Sequence, residues 1–508
     1  MLVNTELEKG LTTVAKGAGI MAVGMAFGQG VGFVTRVVAA RYLGPADFGV
    51  LAMALSLFGI ISIVAVGGLQ GGTYTFVSLF NGRKDYPKIK GTLIAALAMA
   101  VVFGSIVAAV LWSMNSRLTG FFQMPLLAAV TIPLILALPA ASVATVCGSA
   151  AVGFKAIKYK VAAEYLVKPG VRLAILVSAL YTGFGLIGAA WAYALGFWAS
   201  AVVALYWLQR RVFNMFNPDV RAEQVSRELF GYSWPLIFFA LLWSTVGEVG
   251  TLMLGFLRSA TETGLYTAAL NAAQLIIIVP TALVALLMPV LVDNLSNGRR
   301  TEARLIYQIT TKWILLVVTP LVGLLILAPE TVLSKIFGAE YTTAASVVTI
   351  MAAGYLAYSV LYAPACEMLA LHKRSKTLLI VAAIATITNL LLGAVLIPFY
   401  GILGAVLATA GAFAISSGLV TIFAWKVSGM HQFRGSLLKV AVAGLVPLLA
   451  LSVLTPVYGL DHLLTVAIFM ASYLALLVLF RTIEVEDVLI VNKVASKVGI
   501  HLPRPRGF

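Results

Sequence analysis

Nothing constrains this chain more than its apolar runs, which recur from one end to the other at lengths that match the thickness of a bilayer. A helix needs about 20 apolar residues to cross hydrocarbon. Windows of that size fall near 17–43, 47–70, 91–113, 127–150, 161–182, 185–208, 233–255, 265–292, 307–328, 345–368, 378–398, 402–425, 437–458 and 461–480. With no water at that depth, backbone polar groups must be satisfied within the segment, which makes runs of this length helices. Charged residues are 11% of the 508, against about 25% in soluble proteins. The expected fold is an all-α polytopic membrane protein with about fourteen transmembrane helices.

The 35 basic residues outnumber the 19 acidic ones, for a formal charge of +16, and their placement decides what the excess means. An even number of spans puts both termini on one side. On that side fall all the lysines and arginines except Arg36, Arg41, Arg117, Arg258 and Lys335; Lys155, Lys158, Lys160, Lys168, Arg172 and Lys312 are assigned to it as loop cations. The positive-inside rule makes that side cytoplasmic in a multi-pass protein of the plasma or inner membrane. An excess sorted in this way marks topology and membrane lipid headgroups, not nucleic acid. Met1 to Lys16 has no small-residue cleavage site before a short apolar core, so the first span is expected to be retained. Cys147 and Cys366 stand in apolar stretches and make neither a disulfide framework nor a zinc pattern. No metal or cofactor is expected.

The most readable stretch is the first pair of spans. Gly24, Gly28, Gly32 and Arg36 recur every four residues and share one helix face. Glycines so spaced let another membrane helix come close. An arginine inside an apolar span costs roughly 2.5–3.5 kcal/mol unless it meets water or a partner, so Arg36 is expected to face protein or a wet cavity. In Arg41-Tyr42-Leu43-Gly44-Pro45-Ala46-Asp47-Phe48-Gly49, Gly44 suits a left-handed helix end, Pro45 the first turn of the next helix, and Asp47 its positive dipole end. A tight helical hairpin is predicted.

The chain also repeats itself. Gly185-Leu186-Ile187-Gly188-Ala189-Ala190-Trp191-Ala192 matches Gly401-Ile402-Leu403-Gly404-Ala405-Val406-Leu407-Ala408, and Asp47-Phe48-Gly49 has a counterpart in Glu262-Thr263-Gly264. Each unit holds an even number of spans, so the halves share an orientation and are expected to be related by a pseudo-two-fold axis along the membrane normal. The expected organisation is a six-helix bundle at 1–210, a cytoplasmic linker at 211–232, a second six-helix bundle at 233–428, two further helices at 429–480 and a basic cytoplasmic tail at 481–508.

These features together resemble a known family. The Arg36…Arg41–Gly49 hairpin, the Gly255-Phe256-Leu257-Arg258…Glu262-Thr263-Gly264-Leu265-Tyr266 segment and the Phe337-Gly338-Ala339-Glu340-Tyr341 stretch look like the O-antigen-type polysaccharide flippases of the multidrug/oligosaccharidyl-lipid/polysaccharide exporter (MOP) superfamily. The resemblance implies a V-shaped pair of bundles that alternate in access. It implies transport of an isoprenoid-diphosphate-linked saccharide from the inner to the outer leaflet, with a cationic cavity in the first half that receives the diphosphate. Arg36 is the position that matches the arginine prominent on the first span of related flippases. A monomer is expected, with H+ or Na+ as the candidate coupling ion.

Arg36 is the first candidate for diphosphate contact, because a guanidinium offers a fixed, always-charged fork to phosphate oxygens; its structural alternative is an ion pair with Asp47. Gln29 lies on nearly the same face. Arg41, nearer the turn, is a candidate whose structural alternative is also Asp47. Asn271 and Gln274 share a face before Pro280 and could contact sugar or join helices. Ser244, Glu248, Thr251 and Gly255 make a polar stripe in which Glu248 is the candidate ion-coupling residue, since a mid-membrane acid must be protonated or paired. Tyr355, Tyr358, Ser359 and Tyr362 make an aromatic stripe best read as bundle packing. Two other functions stay open. A multidrug or organic-cation exporter of the same superfamily would favour acids over Arg36. An integral-membrane polymerase or glycosyltransferase would need a positioned acid, base or metal site, and the short outer loops offer none, so no enzyme is expected.

Overall fold

The computed structural model describes residues 2–482 together with Glu484 and Asp487, with side chains from Gly19 on; the rest of the expected basic tail lies outside the described residues. In chain order the helices are α1 (Leu2–Val66), α2 (Leu69–Arg83), α3 (Tyr86–Phe122), α4 (Leu127–Gly153), α5 (Ile157–Val161), α6 (Lys168–Tyr181), α7 (Gly185–Trp207), α8 (Ser226–Ser233), α9 (Leu236–Leu257) and α10 (Ala260–Gln274). They continue as α11 (Ile278–Ser296), α12 (Arg300–Leu327), α13 (Pro329–Ile336), α14 (Ala345–Ala357), α15 (Ala363–Leu371), α16 (Ser375–Tyr400), α17 (Ile402–Ser428), α18 (Gly435–Tyr458) and α19 (His462–Leu479). A π-helical turn at Ala162–Val167 joins α5 to α6. Among the described residues there is no strand.

Among the described residues, eleven helical runs are long and apolar enough to cross a membrane, and twelve if Ser226–Leu242 and Gly247–Leu257, bent by 66°, form one span. The expected count of about fourteen differs at two places, each with a local cause. The first two expected spans lie in the single 65-residue run of α1, where at Gly44 the backbone leaves the helix (φ 73°, ψ 173°) and Pro45 opens the next segment. The hairpin joint therefore falls where the sequence puts it. The span expected at 161–182 is present as α5, the π-turn and α6, but Glu164, Lys168 and Arg172 make it too charged to rank among the eleven. One helix was not foreseen. The second span ends at Gly67 and Gly68, both at positive φ, and α2 then occupies Leu69–Arg83, a stretch the apolar pattern had left as loop.

The described residues form two compact units. The first comprises residues up to Asn271, Ile336–Ala344 and Ala382–Thr409; the second comprises Ala272–Lys335, Ala345–Val381 and the chain from Ala410 onward.

In the first unit, glycines set the closest approaches. A side chain at Gly24 would collide with Val161, and a Cβ at Gly28 would come within 3.0 Å of Tyr165. The predicted small-residue face of α1 thus packs against α5 and its π-turn. Further along, Gly49 meets the carbonyl of Ala260 and Gly264 meets that of Pro45, so the two glycines that the repeat pairs in sequence also cross in space. The Gly44 joint is held by residues 336–341: Arg41 Nε donates to the Ile336 carbonyl (2.7 Å), Tyr341 Oη donates to the Ala40 carbonyl (2.8 Å), and Phe33 and Phe48 pack edge-on against Phe337 and Tyr341.

In the second unit, α12 is the central element. Lys312, read from sequence as a loop cation, is 2% exposed and ion-paired with Asp487, while Trp313 Nε1 donates to the same carboxylate at 2.8 Å. Gln308 donates to the carbonyls of His431 and Phe433 at 3.2 and 3.0 Å. The aromatic stripe packs as expected, with Tyr358 stacked on Tyr362 (4.9 Å between centroids) and Tyr355 and Tyr358 against Phe413.

The glycine crossing gives a direct test. Gly49→Val and Gly264→Val each force a branched side chain into a backbone contact, and overpacking costs about 1–3 kcal/mol or more. Both are expected to lower the Tm of the purified protein, whereas Gly32→Ala, which meets open space, leaves it unchanged.

Candidate functional site

Past the π-turn, the glycine face of α1 opens at Gly32 and ends at Arg36. Arg36 is half-buried, and its Nη1 donates to Asn271 Oδ1 of α10 at 3.1 Å. The partner is an amide, not the carboxylate of Asp47. Asn271 is 5% exposed, and its Nδ2 has no hydrogen-bond partner. A neutral amide leaves the guanidinium charge uncompensated and most of its donors unused.

A second polar group lies on α9. Ser56 Oγ, buried on the second segment of α1, donates to Glu248 Oε2 at 2.6 Å. Gly255 of the same stripe packs on Met53, so two of the four stripe residues lie against α1. Beside it, the Tyr266 hydroxyl sits 3.0 Å from Thr409 Oγ1, and the Tyr266 ring fills the space over Gly250. Glu248 thus stands near a run of hydroxyls in the membrane interior.

Of the residues singled out from sequence, Arg36 and Asn271 are brought together. Glu248 is bonded to Ser56. Arg41 lies at the hairpin joint, where residues 41–46 and 337–341 enclose an open notch of about 590 Å³. Gln29 is exposed two turns before Arg36, and Gln274 lies one turn past Asn271 on α10.

Sequence reasoning missed two cations. Lys168 and Arg172, counted as loop residues, are half-buried on α6 under the aromatic residues of α7. The Arg172 guanidinium carbon is 4.3 Å from the centroid of Tyr193, and Lys168 Nζ is 5.3 Å from that of Phe197. The signal was present: Lys160, Glu164, Lys168 and Arg172 recur every four residues, the same spacing that drew attention to Arg36.

Near the other end of this row is a cavity of about 710 Å³ within the first unit, lined by Ser62, Gln70, Tyr74, Thr145, Ser149 and Lys160 among others. Ile63, Val66, Val152, Leu236 and Ala240 complete the lining, so the wall is mainly apolar with a few polar groups and one cation set into it, the usual make-up of a ligand pocket. Among the described residues, no cluster of three or more His, Cys, Asp or Glu side chains could hold a metal ion.

Comparison with known proteins bears on this geometry. The family described as polysaccharide biosynthesis protein matches residues 14–295. A probable low-salt glycan biosynthesis flippase, Agl15 of Haloferax volcanii, is 24% identical over 403 residues, covering 77% of this chain and 79% of its own. Among solved structures, the lipid II flippase MurJ in an inward closed conformation superposes with a TM-score of 0.70 at 14% identity, covering 91% of this chain and 98% of MurJ. An inward-facing multidrug resistance MATE family transporter of the MOP superfamily superposes at 0.65 with 13% identity, covering 79% of this chain and 94% of that one.

The Arg36–Asn271 contact can be tested without any assay of transport. Asn271→Leu removes the amide acceptor and strands a half-buried cation, which costs about 1–3 kcal/mol. The expected result is a lower Tm than that of the wild type, with Asn271→Asp, which supplies a carboxylate, restoring or exceeding it.

Proposed function

The protein belongs to the polysaccharide biosynthesis family, whose match takes in more than half of the chain, and we propose that this flippase of the MOP superfamily moves an isoprenoid-diphosphate-linked oligosaccharide or polysaccharide repeat unit from the inner to the outer leaflet. The observation that carries the proposal is Arg36: a cation inside a membrane-crossing helix whose bonded partner is neutral. Such a charge is expensive in hydrocarbon, and a diphosphate supplies the oxygens that its fork fits bidentately. The cargo's sugars and phosphates cannot cross lipid unaided, while its polyprenyl tail is at home there. The Agl15 and MurJ likenesses support the class of cargo.

Lysines and arginines gathered on one side of the spans support cytoplasmic termini and loading from the inner leaflet. Transport then proceeds by alternating access of the two six-helix bundles at 1–210 and 233–428, in a single copy of the chain. Glu248 is the residue assigned to ion coupling. When it holds a proton or sodium ion it is neutral toward its surroundings, and when empty it is a carboxylate bonded to Ser56. The named relatives are flippases and transporters rather than catalysts. An organic cation would meet like charge at Arg36, which disfavours a drug-export reading.

Two measurements test the proposal. Arg36→Ala is expected to cut delivery of the saccharide to the outer surface by roughly 10–100-fold at matched amounts of folded protein; undiminished delivery removes Arg36 from the site. Glu248→Gln is expected to flatten the dependence of transport on pH or on sodium, and a wild-type dependence refutes coupling at this residue.

A further inference from the structure

The row Lys160, Glu164, Lys168 and Arg172 has a part to play that the Arg36 site leaves unexplained. In a regular helix, residues four apart drift steadily around the axis. The π-turn at Ala162–Val167 turns the helix back and brings the four side chains closer to one face. Such turns gather at functional sites. Pro169 and Gly170 follow at once.

The environment of the row is specific. Gly196 of α7 would place a Cβ 3.0 Å from the Lys168 carbonyl and 3.3 Å from Arg172 Cβ, so α6 and α7 lie close together. That approach seats Lys168 over Phe197 and Arg172 over Tyr193, and Phe197 is itself braced by Phe58 at 4.9 Å. An aromatic face satisfies part of a cation's charge but accepts none of the in-plane hydrogen bonds of a guanidinium. Arg172 Nε is buried with no acceptor, and among the described residues neither Arg172 nor Lys168 has a carboxylate within ion-pair distance. Gly24 meets Val161 and Gly28 meets Tyr165, so α1 and this span run side by side in the same direction, and Arg36 comes level with Arg172. Two like charges so placed are stabilised together by an anion that both can touch.

Glu164 stands in the middle of the row. It is paired with Lys160 at 3.8 Å, both side chains being less than a fifth exposed, and it lies within electrostatic reach of Lys168. Its carboxylate occupies space that a side chain at Gly148 would fill.

We propose that Lys168 and Arg172 form an oxyanion-binding station beside Arg36, with Glu164 as the carboxylate that holds Lys160 at its edge. The ligand chemistry is a pyrophosphate group. Only the statement that this group arrives attached to a lipid rests on the flippase reading. Lys160, which also lines the 710 Å³ cavity, is released from Glu164 as the anion arrives and extends the station toward that cavity.

The test uses the full chain in nanodiscs of zwitterionic lipid, with binding of inorganic pyrophosphate and of a water-soluble short-chain prenyl diphosphate measured by calorimetry. Lys168→Gln and Arg172→Gln are each expected to weaken binding roughly tenfold, the loss of one charge-assisted hydrogen bond. Glu164→Gln, which removes the competing carboxylate, is expected to strengthen it several-fold. Wild-type affinity in both cation variants overturns the station, and weaker binding in Glu164→Gln overturns the role of its carboxylate. If Arg172→Gln does not fold, Arg172→Lys keeps the charge without the fork and is expected to bind less tightly than wild type; unchanged affinity overturns the proposal. Tighter capture of the prenyl diphosphate than of pyrophosphate supports a lipid-linked source, and the reverse order overturns it. If Arg36→Ala stops saccharide delivery while the Lys168 and Arg172 variants bind normally, the station fails and the flippase reading stands. If Arg36→Ala delivers normally while Arg172→Gln loses binding, the station stands without it.

Discussion

A positive charge inside hydrocarbon is tolerated only where something nearby answers it, and much of the first unit is arranged around that requirement. Arg36 sits on the one face of α1 that small residues have cleared, and what it meets there is an amide. Lys168 and Arg172 rest on rings. Among the described residues, none of the three has a carboxylate within ion-pair distance. The contrast with Lys312 in the second unit is instructive. That lysine is 2% exposed and ion-paired with both Asp487 and Glu484, with Trp313 bonded to the Asp487 carboxylate. A charge that serves only to hold structure is paired, as Lys312 is; a charge kept with neutral partners retains capacity for a guest.

The glycines make that arrangement possible. Where Gly24 and Gly28 admit Val161 and Tyr165, α1 and the span that carries Lys160 to Arg172 run close together, so cations from two helices can serve one region. Gly196 does the same between α6 and α7, and the aromatic residues of α7 become the bed on which those cations lie. Without hydrophobic driving force between helices in lipid, close contact of this kind is what packs them. The site is therefore a consequence of how the helices pack, not an addition to it.

The misses in the sequence reading share a cause. Lys168 and Arg172 were counted with the cytoplasmic-side cations although the expected span at 161–182 takes them in, and the structure places both within α6. The π-turn that keeps their row together has no sequence signature apart from its outcome. The helix Leu69–Arg83 was passed over because its mixed composition lacks an apolar run, although it follows directly from a glycine pair that only bends the chain. The hits also have a shared cause. The joint at Gly44 and Pro45, the glycine face of α1, the polar face of α9 against Ser56 and Met53, and the stacked tyrosines of 355–362 all follow from spacing within one helix.

What the amino-acid order alone determined was therefore local: which stretches enter the membrane, where the first pair of spans turns, which faces are small or polar, and that the chain contains a repeat. Those properties depend on the free energy of transferring a segment into lipid and on helical periodicity, and both are read within about twenty residues. Only the tertiary structure decided that Arg36 meets Asn271, that Glu248 meets Ser56, that Gly49 crosses Gly264, and that Lys168 and Arg172 join the same region under Phe197 and Tyr193. The choice among distant partners is made by packing across the whole unit, where one glycine or one extra residue in a helical turn moves a side chain to a different neighbour.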